Sequence, residues 1–413
     1  MAEGAGEPLE TGAVELSETV EAVEEAEAAV LLAPTPEPDG EAAAEPRGDE
    51  VELGFGPQHP AIHGVLRLRA RVDGERIVDC RPILGHLHRG VEKVFERTPF
   101  ADIVPQTDRL DFAAPATTNL AYVGAVERLQ GIMAPPRARY LRTLFAELQR
   151  IASHLLWLAG HAADLGVMPP FFAALRERDR VLGLFDVYLR QYPGASGMRP
   201  GGLSHDLPAG WVEKCRELAG SFPGRLDECA GDLLGSRPWK KRTVGLGVLA
   251  AEVAVDLGVT GPALRASGVA WDLRRAMPYE AYGEVAFEVP VGRNGDAHDR
   301  CLVRVEEMRQ AARIVVQCLD GLPEGPVLAE PPREGGGGSG ESFQEVYHAV
   351  EGPKGEIGFY LVSDGAAAPY RCHVRAPSFA NLQALPEICR GELVGDLVAL
   401  IGSLDLSLGE ADR

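Results

Sequence analysis

Apolar and polar side chains alternate with a period of two between residues 66 and 72. The apolar positions are Leu66, Leu68, Ala70 and Val72, and arginines fill the positions between them. This alternation is typical of a strand with one buried face. Because Asp73-Gly74 is a turn signal, the following residues, Glu75–Cys80, are predicted to return as the second strand of a hairpin.

From Arg137 onward, apolar residues recur every three or four positions, which predicts a long amphipathic helix ending near Gly166. The positions are Leu141, Leu144, Phe145, Leu148, Ile151, Ala152, Leu155 and Ala159. Three more helices are predicted at Phe171–Gln191, Val212–Leu234 and Arg300–Leu319. Four long helices joined by loops indicate a helix-bundle core.

The remaining segments predict smaller elements. Residues 244–295 are rich in glycine and proline and too long for a simple connector, so we expect a functional excursion there. A glycine-rich linker at 334–340 precedes two short strands, Ile357–Val362 and Tyr370–Val374, and an apolar helix at Leu393–Leu404. The fold class expected from these elements is α+β, mainly α.

The charge is distributed unevenly over the 413 residues, whose net charge is −20. Residues 1–50 contain 15 acidic side chains, one basic side chain and no aromatic residue, which predicts a disordered acidic tail. The remaining residues carry a charge of only −6, and this near balance argues against nucleic-acid binding. No run of 18 apolar residues is present, so we expect no membrane-spanning helix.

The cysteines offer no obvious cage for zinc or an iron–sulfur cluster. None of the seven forms a CxxC pair, and their odd number in a long chain is typical of reduced thiols in the cytoplasm. The glycine-rich run at 258–271 lacks the lysine of a P-loop, and no GxGxxG follows a predicted strand. The sequence therefore does not support NAD binding by this chain.

Two histidine-containing loops and one aspartate are candidates for chemistry. His59 and His63 lie four residues apart in GPQHPAIHG, either in an ordinary loop or where imidazoles donate a hydrogen bond or a proton. His86 and His88 in GHLHRG lack a third ligand at metal spacing, which disfavours a zinc site. Asp164, near a helix C-terminus, either faces solvent or has a specific partner, because the helix dipole disfavours it there.

Nine ordered motifs resemble the D-subunit family of proton-translocating NADH-quinone oxidoreductase, respiratory complex I. They are GPQHPAIHGVLRL, GHLHRGVEK, DRLDF, PPFFAALRERD, RPGG with DLP, VTGPALRASGVAWDLRRAMPY, PKGEIGFYLVSDG, PYRCHVRAPSF and SLDLSLGEADR. The resemblance covers residues 51–413 and implies a fold like the large subunit of nickel–iron hydrogenases, a helix bundle with small antiparallel sheets. We therefore expect a tail at 1–50, an N-terminal α+β region with the histidine loop at 51–130, a helix-bundle core at 131–322 and a C-terminal α+β region at 323–413.

The resemblance also implies a function. In hydrogenases two cysteine pairs hold the metals, but here those places read Gly85–His88 and Leu404–Leu408, without the thiolates that nickel and iron need. The vacated cavity is expected to accept quinone. It would be enclosed jointly with the small iron–sulfur subunit of the complex, the B subunit, whose 4Fe-4S cluster supplies the electrons.

Further expectations concern the whole complex. Quinone reduction would be coupled to proton translocation, and NADH would be oxidised by other subunits. Subunits C and H would be further partners, and the chain would be peripheral on the cytoplasmic side of the membrane.

Roles follow by motif. His63 would hydrogen-bond the quinone and donate a proton, Asp164 would pair with His63, and His59 would lie near the mouth of the same loop. Arg89 would face the partner's cluster. Phe112 would keep the ring of the family's quinone-binding tyrosine.

Two residues depart from the family pattern. Phe112 lacks the tyrosine hydroxyl, which removes a hydrogen-bond donor. Gly194 stands where the family usually has a histidine near the partner's cluster, which predicts a cluster potential that depends little on pH. Together these changes suggest a divergent or second-copy member. They also leave an alternative open: a structural connector that does not reduce quinone, in a related ion-pumping or hydrogenase-like complex.

Overall fold

Two three-stranded antiparallel sheets and a two-stranded ribbon accompany a bundle of long helices in the computed structural model, which describes residues 50–56, 63–189, 197–330 and 343–413. These residues fall in one compact unit. The strands are β1 (Val51–Phe55), β2 (Arg67–Asp73), β3 (Arg76–Ile83), β4 (Met198–Arg199), β5 (Gly202–Leu203), β6 (Gln344–Gly352), β7 (Gly355–Ser363) and β8 (Arg371–Arg375).

The helices outnumber the strands in the described residues. Five are long: α3 (Pro115–Gln130), α4 (Pro136–Asp164), α5 (Met168–Leu189), α6 (Trp211–Gly235) and α11 (Ala297–Asp320). The shorter ones are α1 (Val91–Phe95), α2 (Phe100–Thr107), α7 (Arg237–Lys241), α8 (Ala251–Asp256), α9 (Gly261–Ala266), α10 (Leu273–Ala276), α12 (Pro377–Leu382), α13 (Leu385–Cys389), α14 (Leu397–Leu404) and α15 (Leu408–Ala411). Two 3-10 turns lie at Tyr282–Glu284 and Val394–Asp396. The expected mainly helical α+β class is confirmed.

Helix α4 is the centre of the bundle. Its apolar face packs against α3, α5, α11 and α14. Pro136 supplies the first helical position, where its missing N–H has no intrahelical partner to lose. The four long helices predicted from the apolar period are confirmed, except that residues 190–191 lie outside the described part.

Helix α3 is the long helix that the periodicity missed. Nearly every residue from Ala116 to Glu127 is buried, so no polar face marks the helical period. Asn119 shows how a polar side chain is accommodated there: its amide donates to the Val104 carbonyl at 3.1 Å and to the Asp108 carboxylate at 2.7 Å. A helix buried on all sides can be mistaken for an irregular segment when only amphipathic patterns are sought.

The sheets lie beside two apolar cores. The predicted N-terminal hairpin is confirmed, with Asp73 opposite Arg76 and Gly74 at a φ of +60° in the turn. Its buried face shares one core with α8, α9, α13 and α14. The C-terminal sheet, in the order β6-β7-β8, packs on α3 and belongs to the larger bundle core. Strand β6 was not predicted, because its polar and apolar residues do not alternate regularly.

The glycine-rich excursion at 244–295 contains the short helices α8, α9 and α10. Both the predicted tail, up to residue 49, and the predicted linker at 334–340 lie outside the described residues. The boundaries proposed at residues 130 and 322 remain a prediction. Within the described part, the last turns of the chain, α14 and α15, return to the N-terminal half and meet the segment that begins at His63.

Candidate functional site

The segment that begins at His63 is held against the carboxyl-terminal segment by backbone hydrogen bonds. The His63 N–H donates to the Leu406 carbonyl at 3.2 Å, and the His63 carbonyl accepts from the Leu408 N–H at 2.9 Å. Gly64 allows this close approach, since its φ is +130° and an added Cβ would lie 2.8 Å from the Leu408 side chain. The position of the His63 ring therefore depends on the end of the chain.

Asp405 is the carboxylate that faces the His63 ring. It follows the last residue of α14 with a φ of +58°, in the left-handed region that non-glycine residues seldom adopt. The His63 Nε2 lies 3.3 Å from the Asp405 Oδ1, close enough for an ion pair. Neither Asp405 oxygen accepts a well-aligned hydrogen bond from the described residues, although the side chain is fully buried. A buried carboxylate held by ion pairs alone can still accept a hydrogen bond from a water molecule.

Two further cations hold the Asp405 carboxylate in its charged form. The Lys354 Nζ and the Arg304 Nε each lie 3.9 Å from one of its oxygens. Burial alone would raise the pKa of Asp405, but Lys354, His63 and Arg304 together lower it below its ordinary value.

Lys354 connects Asp405 to a second carboxylate. This lysine lies in the turn between β6 and β7, is buried, and donates to the Asp111 Oδ2 at 3.1 Å and to the Ser153 hydroxyl at 3.3 Å. Burial lowers the pKa of Lys354, but Asp111 and Asp405 outweigh this effect and raise it. Lys354 therefore carries its proton between two carboxylates.

The pKa of Glu410, in α15, is shifted in the opposite direction from that of Asp405. Its side chain is buried, and one oxygen accepts the Ser378 N–H at 3.0 Å. Burial and the nearby Asp111 raise the pKa of Glu410 to about 8, so the carboxyl group is mostly protonated at neutral pH. We call His63, Asp111, Lys354, Asp405 and Glu410 the His63 cluster.

Asp164 lies at the end of α4 and interacts with His63 through charge. Burial raises the pKa of Asp164 to about 6, and the His63 ring opposes this rise. The Oδ2 atom is buried and has no hydrogen-bond partner among the described residues. The His63 ring forms an ion pair with Asp405, and its interaction with Asp164 is through charge, so the expected pairing of Asp164 with His63 stays a prediction. The role of Asp164 in catalysis remains a prediction.

Phe112 lies beside His63 at the surface. The two rings meet edge to face with their centres 5.6 Å apart, and 57% of Phe112 is exposed. An aromatic ring this exposed is ready to cover a flat apolar ligand or a partner surface. The structure thus brings together His63 and Phe112, which the resemblance assigns to the same ligand.

Arg89 belongs to a loop that the last residues of the chain hold in place. The backbone N–H groups of Gly85 and Leu87 both donate to the Asp412 carboxylate, at 2.7 Å each to its nearer oxygen. The Arg89 guanidinium donates to the Gly409 carbonyl at 2.8 Å and is otherwise exposed. The loop at 85–89 is therefore held against residues 409–412 near the carboxyl end.

His86 and His88 are exposed in the same loop, and His88 contacts the Asp412 carbonyl at 3.0 Å. Among the residues that the structure describes, no group of three histidine, cysteine, aspartate or glutamate side chains is arranged to hold a metal ion. Nor does any helix in the described ranges have the length and apolarity needed to cross a bilayer. His59 and Gly194 lie outside the described residues.

Sequence reasoning assigned no role to four members of the His63 cluster. Asp405 and Glu410 stand in SLDLSLGEADR, Lys354 in PKGEIG and Asp111 in DRLDF. The available signal was Asp405, a charged residue between Leu404 and Leu406, because burying a charge is costly unless it is paired. That signal could not reveal the pairing, because the partners lie far apart along the chain.

Comparison with known proteins identifies the family. The family described as "Respiratory-chain NADH dehydrogenase, 49 Kd subunit" matches residues 164–335 and 337–413. The NADH-quinone oxidoreductase D subunit of Geotalea uraniireducens is 47% identical over 384 residues, which cover 88% of this chain and 98% of the relative. The NADH-quinone oxidoreductase D 2 subunit of Solibacter usitatus is 46% identical over 370 residues, covering 88% and 97%. The chain therefore belongs to the family of the 49 kDa subunit of respiratory-chain NADH dehydrogenase, in which its relatives are D subunits of NADH-quinone oxidoreductase.

Proposed function

We propose that this chain forms, together with the small iron–sulfur subunit (the B subunit), the chamber in which the complex reduces quinone. Electrons would reach the quinone from a 4Fe-4S cluster in that partner, after NADH has been oxidised by other subunits, and the reaction would be coupled to proton translocation. The observation that carries the proposal is the contact between His63 and the exposed Phe112 ring, with the buried Asp405 behind the imidazole.

Both residues of this contact, Phe112 and His63, take part in the proposed chemistry. The ring of Phe112 stacks on or borders the quinone head group, while the His63 imidazole donates a hydrogen bond to one carbonyl oxygen. Two-electron reduction requires two protons, and His63 supplies one of them. Asp405 stabilises the imidazolium before transfer, and Asp164 contributes a second negative charge whose ionisation changes near pH 6.

The partner surface is proposed to lie around Arg89. The guanidinium is fixed to the Gly409 carbonyl and exposed on its other side, so it would present a positive charge to the cluster of the small iron–sulfur subunit and favour the reduced, more negative state. His59 is proposed to line the quinone entrance. Subunits C and H are proposed as further partners in the complex. The chain would be peripheral on the cytoplasmic side of the membrane.

A second function is favoured by one observation, the missing hydroxyl at Phe112. Because this position has no donor, the proposal leaves only His63 among the described residues to bind a quinone carbonyl. In this second function, the chain would connect a redox subunit to the membrane arm of a related ion-pumping or hydrogenase-like complex without reducing quinone itself.

Photolabelling of the assembled complex tests the two functions. An azido-quinone should label peptides containing His63 or Phe112, and His63→Ala should reduce both labelling and NADH:quinone turnover, the latter by about a hundredfold, as for the loss of a general acid.

His373→Ala is the matched control, because His373 also contacts a carboxylate, Glu92 at 2.9 Å, but lies on β8. This variant should keep its labelling and turnover. If the azido-quinone labels other subunits but not this chain, and His63→Ala turns over like the wild type, the quinone chamber is rejected and the connector is favoured.

A further inference from the structure

The end of helix α14 determines where Asp405 and the segment bonded to His63 lie. The helix ends at Leu404, Asp405 follows in the left-handed conformation, and Leu406 and Leu408 then form the backbone hydrogen bonds to His63. The carbonyl groups in the last turn of a helix have no partner within the helix. The groups that bind these carbonyls therefore fix the position of Asp405.

Side chains of α4 and α11 bind three of these carbonyls. The Arg304 guanidinium, from α11, donates to the Ser403 carbonyl at 2.7 Å and to the Leu404 carbonyl at 2.9 Å. The Trp157 Nε1, from α4, donates to the Gly402 carbonyl at 2.6 Å. The guanidinium also lies over the Trp157 ring, 4.6 Å from its centre, where a cation is attracted to the aromatic face. We call these two side chains the Arg304 cap.

The cap also explains how Asp405 keeps its unusual backbone conformation. A residue with a Cβ atom adopts a φ of +58° only when its surroundings hold it there. Arg304 is fully buried, and its Nε lies 3.9 Å from the Asp405 Oδ2, so the same planar group binds the backbone before Asp405 and faces its carboxylate.

We propose that Arg304 is a positioning residue for quinone reduction: by capping α14 it fixes Asp405 opposite the His63 Nε2 and so presents the His63 Nδ1 to the quinone. The inference rests on the proposed function of His63 and names the residues that orient it. Because Arg304 is buried, it acts on the reaction through Asp405 and His63 and does not touch the substrate.

The orientation of the imidazole decides which nitrogen reacts. The His63 Nε2 lies 3.3 Å from the Asp405 Oδ1, so its hydrogen faces the carboxylate and the Nδ1 is left for the quinone. In the imidazolium both nitrogens carry hydrogen. The proton given to the quinone oxygen leaves from Nδ1, while Nε2 keeps its hydrogen and its contact with Asp405. A displaced Asp405 would let the ring turn, and proton transfer is sensitive to such small displacements.

The test measures NADH:quinone turnover per mole of assembled complex with a short-chain quinone, in H2O and D2O. Arg304→Lys keeps the positive charge, but its single nitrogen cannot reproduce the planar pair of hydrogen bonds. It should lower kcat by about tenfold and raise the solvent isotope effect, because proton donation from a displaced imidazole is slower. Arg304→Met removes the charge as well and should lower kcat by about a hundredfold, so the lysine variant recovers part of the loss.

The decisive comparison combines each variant with His63→Ala. If Arg304 acts through His63, Arg304→Lys should cause no further loss of turnover once the imidazole is gone. Arg142→Lys is the matched control, because Arg142 is also buried and donates to two carbonyls, those of Arg199 and Gly202, which do not belong to α14. Any loss in this control should multiply with that of His63→Ala.

Trp157→Phe keeps the test valid if the arginine variants do not assemble. It removes the indole N–H that binds the Gly402 carbonyl but keeps an aromatic ring beneath the guanidinium. It should lower kcat by about threefold, again only when His63 is present.

Two results would overturn the role of the cap. If Arg304→Lys and Trp157→Phe turn over like the wild type, the cap does not set the reacting geometry. If their losses multiply with that of His63→Ala and the isotope effect does not change, Arg304 and Trp157 only stabilise the fold. Failure of the proposed function is distinguishable, because His63→Ala alone would then keep the wild-type turnover, and both proposals would be rejected.

Discussion

Two clusters of charged side chains are buried in this protein, and they differ in how their charges are satisfied. One is the His63 cluster. The other, which we call the arginine network, lies where α4, α9, α10 and α11 meet and consists of Glu147, Arg150, Arg265, Asp272, Arg274 and Glu307. In the arginine network each carboxylate has a guanidinium partner, whereas in the His63 cluster Asp405 lacks a well-aligned hydrogen bond from the described residues and Glu410 is protonated.

The pKa shifts express the same difference. In the arginine network the guanidinium groups outweigh burial, and they lower the pKa of Asp272 to about 2 and hold the pKa of Glu307 well below its ordinary value. In the His63 cluster burial prevails at Glu410 and the cations prevail at Asp405, so two carboxyl groups in one cluster hold different protonation states at neutral pH. Removing one partner of a buried charge pair is costly for the fold, and groups whose pKa values are pushed apart are suited to proton transfer.

The largest effect should follow from removing a charge of the arginine network. Arg265 donates to Glu307 at 2.7 Å and to Glu351 at 2.7 Å, so Arg265→Met removes the closest cation from two buried carboxylates. We expect a loss of about 3–5 kcal/mol in the free energy of unfolding, measured by urea unfolding of the purified chain with tryptophan fluorescence.

Arg216→Met is the control for that change. Arg216 forms an ion pair with Asp320 on the surface, where both side chains are about half exposed. Such pairs contribute about 0–1 kcal/mol, so the control should lose little stability. Equal losses in the two variants would mean that burial does not distinguish the arginine network from a surface pair.

In the His63 cluster, replacing the ionisable group of Glu410 should have the opposite sign and stabilise the fold at high pH. Because the pKa of Glu410 is about 8 in the folded chain and near 4.5 when unfolded, the folded state binds more protons between these values. Its contribution to stability is therefore complete at low pH and is lost as pH rises toward 8, by up to about 1.4 kcal/mol per pH unit. Glu410→Gln should remove this loss, so it should be relatively more stable than the wild type at pH 9 than at pH 5.

Urea unfolding of both proteins at pH 5, 7 and 9 measures the effect. The Glu387→Gln variant, in which the glutamate is exposed, should follow the wild-type pH dependence. A Glu410→Gln chain whose stability falls with pH as steeply as the wild type would show that Glu410 is ionised in the native state, and the contrast between the two clusters would disappear.

The sequence allowed the prediction of elements that have one polar and one apolar face. The β2–β3 hairpin and helices α4, α5, α6 and α11 are of this kind, and motif resemblance added the family and the candidate residues. Helix α3 could not be found this way because it is buried on all sides, and strand β6 because its polar and apolar residues do not alternate regularly. The His63 cluster was also out of reach, since a contact such as that between Lys354 and Asp111 depends on the packing of distant segments.

The smallest effect should come from Phe112, the exposed ring beside the His63 cluster. The ring is exposed and meets His63 at 5.6 Å, so Phe112→Tyr adds a hydroxyl next to the proposed quinone position without disturbing a packed core. A new hydrogen bond to the ligand contributes about 0.5–1.5 kcal/mol, which corresponds to a Kd for a quinone analogue lowered by about two- to tenfold.

Equilibrium binding of the analogue to the complex measures this change, and Phe172→Tyr provides the comparison. Phe172 is also an exposed phenylalanine in an edge-to-face ring pair, with Phe171, but it belongs to α5. Its variant should bind the analogue like the wild type. If Phe112→Tyr also leaves the affinity and the turnover unchanged, the ligand does not approach this ring. The different protonation states of Asp405 and Glu410 would then serve a purpose other than quinone reduction, because a group can donate a proton only to an acceptor that approaches it.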